Sequence, residues 1–287
     1  MSTRLVFEEF SHACRLLLQT PLFAIFSTIL DTLFLVCYGF FTQPARDTLL
    51  VYAQNFVTAV SGVLQEAGAR YETPSMMELA MSPAARPYLN GILWWMLVLF
   101  IIAFVLYVLF QGTAWRAAAE LLRSRTSWQA YLAKFALLNA AWFIIFGIVK
   151  VIMDTIDLRS ALMQSITQTP GWVVPVQLRF AIFGALAYFA LISYGELHHR
   201  PWKEAFKEAF RRGIKQFTTF LPFILIAVII FLALQYVIFP LIIAPASAMN
   251  PALGLTLGIA ILGPTAFWLR LTITALVSRT YGVRQQP

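Results

Sequence analysis

Residues 200–239 read RPWKEAFKEAFRRGIKQFTTFLPFILIAVIIFLALQYVIF. Two segments of opposite character meet here between Gln216 and Phe217. Residues 217–239 carry no charge, and about 20 such residues cross a bilayer core near 30 Å as a helix. In the preceding segment, Trp202, Phe206, Phe210, Gly213 and Phe217 share one helical face. Lys203, Lys207, Arg211 and Lys215 form an i,i+4 row on the other face, and Pro201 suits the first turn. An amphipathic basic helix leading into an apolar helix is the signature of a span entered from its charged side.

Five further apolar runs follow the same logic: 21–41, 91–110, 133–153, 178–194 and 253–276. The run at 178–194 is the shortest, and either recruits 172–175 or tilts less. Sixty per cent of residues are hydrophobic and 12% charged, against roughly 45–50% and about 25% in soluble domains. The fold class read from this is all-α, a single six-span domain. Charge sets its orientation. Segments 1–20, 111–134, 195–216 and 277–287 hold 14 Lys and Arg against 6 Asp and Glu, whereas 42–89, 150–179 and 240–252 hold 6 of each. Cytoplasmic loops favour Lys and Arg, so both termini are expected inside a prokaryotic cytoplasmic membrane. Trp94, Trp95 and Trp172 then fall at outer span ends and Trp115, Trp128 and Trp202 at inner ones, where indoles prefer headgroup depth. Trp142 and Trp268 fall within spans and read as packing residues.

The amino terminus has no cleavable-leader pattern: Arg4, Glu8, Glu9 and Arg15 precede a full-length span. Cys14 and Cys37 are about 23 helical residues apart, roughly 35 Å, too far to pair within one helix. They read as small packing residues. The formal charge of +8 gathers at span ends, so anionic lipid headgroups rather than nucleic acid are the expected counter-charge.

The amphipathic entry recurs before each odd-numbered span. Before the first, the apolar positions are Phe7, Phe10, Cys14 and Leu17; before the third they are Trp128, Tyr131, Phe135 and Leu138. Such helices lie in the membrane interface with the apolar face in the acyl chains, or else are the ends of the spans extended into solvent. The span layout, with the Trp202, Ala205, Phe206 entry, resembles poorly characterised prokaryotic six-span families. One is the membrane domain attached to some glycerophosphodiester phosphodiesterases. The resemblance implies an all-α membrane domain and carries no catalytic activity with it.

Between spans one and two, 47–69 reads as a helix with Val51, Ala53, Phe56, Val57, Val60, Val63, Leu64 and Ala67 on one broad face. Leu158, Leu162 and Ile166 are in similar register within 157–169. Both stretches are expected to lie on the outer leaflet, or alternatively to cover a cavity mouth.

Asp31 falls at the midpoint of the first span, where an ionised carboxylate costs about 2.5–3.5 kcal/mol. Arg270 lies about six residues, roughly 9 Å, to the cytoplasmic side of the sixth span's centre. If the two spans are neighbours, their charges cancel inside the bundle. The pair is then a transporter's gate or proton site, or else a structural element. A second structural option has Arg270 reaching the headgroups and Asp31 bonded to Ser27, Thr28 or Thr32. Gly254, Gly258, Gly263 and Pro264 in the same span, and Pro222 in the fifth, read as packing and kink residues, with a broken transporter span as the alternative.

Lys150, Asp154 and Asp157 share one helical face as solvated ion-pairing groups. Glu196, His198, His199 and Arg200 read as a charged headgroup anchor, since no spacing completes a zinc site. No hydrolase, P-loop or Rossmann motif is present. The expectation is a non-catalytic membrane protein without metal or cofactor that organises or senses lipid, alone, as a homo-oligomer or beside a membrane partner. Lys203, Lys207, Arg211, Arg212 and Lys215 are its lipid-contacting residues. The alternative is a small-solute or ion permease built on Asp31 and Arg270.

Overall fold

The computed structural model describes residues 2–69, 75–122, 126–167 and 172–280. It is 92% helical with no strands among the described residues, and six helices are long and apolar enough to span a membrane. The elements are α1 Ser2–Gln19, α2 Pro21–Ala69, α3 Met76–Met81, α4 Arg86–Leu106, α5 Gly112–Leu121, α6 Trp128–Thr167, α7 Val176–Glu196, α8 Trp202–Lys215, α9 Phe217–Ala233, α10 Ala244–Met249 and α11 Pro251–Thr280. Two wider, π-helical stretches, Tyr107–Gln111 and Leu234–Ile243, join α4 to α5 and α9 to α10.

Proline and its neighbours set several breaks. Thr20 precedes Pro21, and a residue before proline is pushed out of the helical region, which separates α1 from α2. Asn250 precedes Pro251, is extended, and accepts the Ala252 N–H at 2.9 Å, closing the α10–α11 hairpin. Val174 likewise precedes Pro175, so 172–175 stays outside α7 instead of lengthening it. Interior prolines do not end their helices: Pro44, Pro222 and Pro264 all lie within continuous elements. Serine and threonine hydroxyls bond back to the carbonyl four residues earlier, as in Thr28, Thr32, Thr265, Thr272 and Thr274. That satisfies a polar group where lipid offers no partner.

The chain forms two compact units. Unit 1 comprises residues 1–34, 108–149 and 175–287; unit 2 comprises 35–107 and 150–174. In unit 2, Phe56, Val60, Leu79 and Ala85 are buried together, with Val63, Leu64, Tyr88 and Leu89 against them. Part of the apolar stripe of 47–69 is therefore covered by α3 and the start of α4. It is narrower than the sequence pattern: Val51 and Val57 are exposed. This stretch is also not a separate helix but the continuation of α2. Residues 157–167 continue α6 in the same way, and the side chains of Leu158, Leu162 and Ile166 lie outside the described residues. Lys150 bonds Asp154 at 2.8 and 3.1 Å, and Asp157 accepts the Val174 N–H.

Unit 1 carries the entry helices. α1 packs on α11 and α9, with Phe10 against Trp268 at 4.9 Å and Phe223 at 6.0 Å. Its buried stripe is Val6, Phe10 and Ala13, whereas Phe7 and Cys14 point out. The register turns by part of a residue spacing because Ala13 is small enough to sit against Ala24, Ala118, Phe267 and Leu271. The second entry stretch is no separate element: Tyr131, Phe135 and Leu138 are buried in α6, which runs unbroken from Trp128. Trp115 is also buried, its ring 5.3 Å from that of Tyr194. Elsewhere large apolar side chains are bare, including Leu22, Phe180, Tyr236 and Leu241, as lipid-facing residues are.

The third entry helix, α8, docks by its aromatic face onto protein. Trp142 of α6 stands 5.1 Å from Phe206 and 5.8 Å from Phe210, and Phe189 of α7 stacks on Phe210 at 4.6 Å. Tyr188 donates to the Gly213 carbonyl at 2.8 Å, and a side chain at Gly213 would strike the Phe189 ring. Phe206 and Phe210 of the aromatic stripe thus pack within unit 1, while Phe217 at its end is exposed.

Candidate functional site

Asp31 of α2 and Arg270 of α11 meet in unit 1. Arg270 forks onto the carboxylate, Nη1 to Oδ2 at 2.8 Å and Nη2 to Oδ1 at 2.6 Å. Its Nη1 also donates to Ser27 Oγ at 2.9 Å and its Nη2 to Gln111 Oε1 at 2.6 Å. Gln111 closes the ring by donating to Asp31 Oδ1 at 2.9 Å. Both charged side chains are largely enclosed, at 17% exposure for Asp31 and 10% for Arg270. A two-pronged guanidinium–carboxylate pair is the strong form of this interaction, and further hydrogen bonds offset the cost of removing it from water.

Close helix approach makes the contact. A side-chain carbon at Gly263 would run into Thr28, so α2 and α11 touch backbone to side chain two turns from Arg270. Gly254 allows a similarly close approach to Ser247 of α10, whereas a side-chain carbon at Gly258 would meet Ile243 only at ordinary contact distance. Gln111, absent from the sequence reading of the pair, arrives at the end of the Tyr107–Gln111 π-helical stretch. Such turns are frequent at functional sites. Thr28 and Thr32 bond their own backbone rather than Asp31.

A second cluster joins α7 to α8. Glu196, at the end of α7, is fully buried. A carboxylate at a helix C-terminus is opposed by the helix dipole, and two guanidiniums stand near it, Arg212 at 3.5 Å and Arg200 at 3.8 Å. Glu208 Oε1 takes both Arg211 Nη2 at 2.6 Å and Arg212 Nε at 2.7 Å. Burial alone would raise the Glu208 carboxyl, but those two bonds prevail and hold it below the usual carboxylate range. Lys203, Lys207, Arg211 and Lys215 are exposed along one side of α8, whereas Arg212 turns inward at 11% exposure. Lys203 rests over the Trp202 ring at 5.7 Å.

Of the residues read from sequence as a charged headgroup anchor, Glu196 is buried, while His199 is exposed and Arg200 half-buried. His198 lies 3.1 Å and His199 3.4 Å from Ser278 Oγ of α11. Arg116 of α5, also buried, donates to the Thr126 carbonyl at 2.7 Å and lies 5.3 Å from the Trp128 ring. No group of three or more His, Cys, Asp or Glu is placed to hold a metal among the described residues. Comparison with known proteins finds no matching family model, curated protein or solved structure.

Burial, with a smaller contribution from His199, pushes the His198 imidazole down to about 3. Folded His198 is therefore neutral, while in the unfolded chain it takes a proton near pH 6.5. Stability from this group is complete above pH 6.5 and falls as the pH drops toward 3. The expected result is a melting temperature that declines more steeply for the parent than for His198→Gln between pH 6.5 and 4.5. Equal slopes would remove His198 from this account.

Proposed function

We propose that this protein is a non-catalytic, multi-pass component of a prokaryotic cytoplasmic membrane, with both termini cytoplasmic, that engages anionic lipid through α8. One observation carries the reading. The aromatic face of α8 is fixed to α6 and α7, so its Lys203, Lys207, Arg211 and Lys215 row is held outward as a rigid basic ridge. Each Lys or Arg near an anionic surface contributes about 1 kcal/mol. The exposed Ile214 and Phe217 beside the ridge suit contact with acyl chains. The Asp31–Arg270–Gln111–Ser27 ring acts in this reading as an internal clamp between α2, α11 and the α4–α5 junction.

The test uses polymer-encapsulated membrane particles carrying the full chain. Phosphatidylglycerol should be enriched around the parent relative to the bulk membrane, and Lys203→Gln with Lys207→Gln should remove most of that enrichment. Unchanged lipid preference together with unchanged topology would sink the reading. The second reading, a small-solute or ion permease centred on Asp31 and Arg270, is favoured by the π-helical stretch that ends at Gln111.

A further inference from the structure

We propose that the cavity at the α8–α9 junction is a discrete, one-to-one site for the phosphate of an anionic lipid, held by Arg211, Arg212 and Lys215. The proposal rests on the reading that α8 faces lipid, and adds to a diffuse basic surface a shaped site at one end of it. The cavity measures about 170 Å³ and is lined by Glu208, Arg211, Arg212, Lys215 and Gln216. Three cations against one carboxylate leave its wall positive.

The arrangement is preorganised. Glu208 grips both guanidiniums through one oxygen, which fixes two planar forks side by side. Arginine forks match the oxygen spacing of a phosphate, and Lys215 adds a mobile point charge. Since the forks are already ordered, binding costs little side-chain entropy beyond that of Lys215. Glu208 keeps its charge, so the grip persists without ligand.

Two further features fit an anion. Gln216 is the N-cap residue of α9 and makes no side-chain cap bond, so its amide is available to turn toward the cavity it lines. The Gln216 side-chain oxygen is buried without a hydrogen-bond partner among the described residues, and half a turn of the amide would offer a donor instead. Ile214, 69% exposed, and Phe217, 45% exposed, flank the lining residues Lys215 and Gln216. That apolar border selects a lipid over free phosphate, because a soluble anion gains nothing from it. Lys203 and Lys207, farther back along α8, do not line the cavity.

Native mass spectrometry of the full chain, delipidated stepwise from nanodiscs of phosphatidylglycerol in phosphatidylcholine, tests this. One phosphatidylglycerol should stay on the parent chain, with occupancy at least tenfold lower in Arg211→Gln/Lys215→Gln. Lys203→Gln/Lys207→Gln should keep it. Should the double variant not fold, Lys215→Glu alone, at an exposed position, should show the same loss. A parallel arm adds millimolar inorganic phosphate and follows thermal stability. Protection by phosphate with no retained lipid would keep the phosphate site and overturn its lipid source. Equal occupancy in parent and variants, or no retained anion of either kind, overturns the site. If bulk enrichment ignores Lys203 and Lys207 while the single lipid persists, the surface reading falls and the site stands.

Discussion

Arg270→Met is expected to cost about 3–5 kcal/mol of folding stability, the usual penalty for removing one partner of a buried pair. Asp31 would keep the Gln111 donor but lose both guanidinium bonds and its counter-charge. The double change Asp31→Leu/Arg270→Met should recover most of the loss, because well-packed apolar residues often match a buried ion pair in stability. Unfolding followed by tryptophan fluorescence in mild detergent reads both values. A single variant within about 0.5 kcal/mol of the parent would exclude the clamp. The same proteins separate the two functional readings. As a clamp, the double variant is stable and retains its lipid behaviour. As a permease, the stable double variant, like Asp31→Asn, carries no flux in proteoliposomes whose parent protein does.

Trp142→Ala is the second large effect. The indole is fully buried, touches Phe206 and Phe210 of α8, and donates to Ser193 Oγ at 2.9 Å. In water-soluble cores such a truncation costs 3–5 kcal/mol. Part of that figure is transfer from water, which a lipid surround does not supply, so a loss of about 2–4 kcal/mol is expected. Trp142→Phe keeps a ring against α8 and should lose only about 1 kcal/mol, the hydrogen bond's share. The distinguishing readout is local: α8 should become accessible to protease in the alanine variant and stay protected in the phenylalanine one. Equal accessibility in the two would mean that α8 is not held by this ring.

Much of the fold was legible because lipid leaves few options. Where backbone groups find no water, apolar runs near 20 residues become helices, and all six runs lie in such helices. Their continuations were not legible. Residues 42–69 are polar enough to read as a loop followed by a separate helix, yet neither Pro44 nor Gly62 stops α2. The stripe of α1 was misread because Phe7 outweighs Val6 in bulk, while tight helix contact selects the small Ala13.

The Asp31–Arg270 encounter turns on which spans are neighbours, which one sequence does not settle. Gln111 was invisible for a different reason. A π-helical stretch moves later residues around the helix relative to an ideal 3.6-residue repeat, so periodicity alone misplaces it. Arg212, by contrast, could have been found. Nine residues beyond Lys203, at about 100° each, it falls half a turn from the head of the lysine row, beside Ala205 and Ala209. Its place was on the packed side of α8, against Glu208.

The clamp also has a timetable. Asp31 and Arg270 are 239 residues apart in the chain, which at about 5–20 residues per second is roughly 12–48 s of synthesis. The first span therefore enters the bilayer well before its arginine exists. Gln111, 80 residues after Asp31, is made before Arg270, and in the finished fold it donates to the same carboxylate oxygen. The glutamine is the partner on hand while the N-terminal part of the chain waits for its last helix.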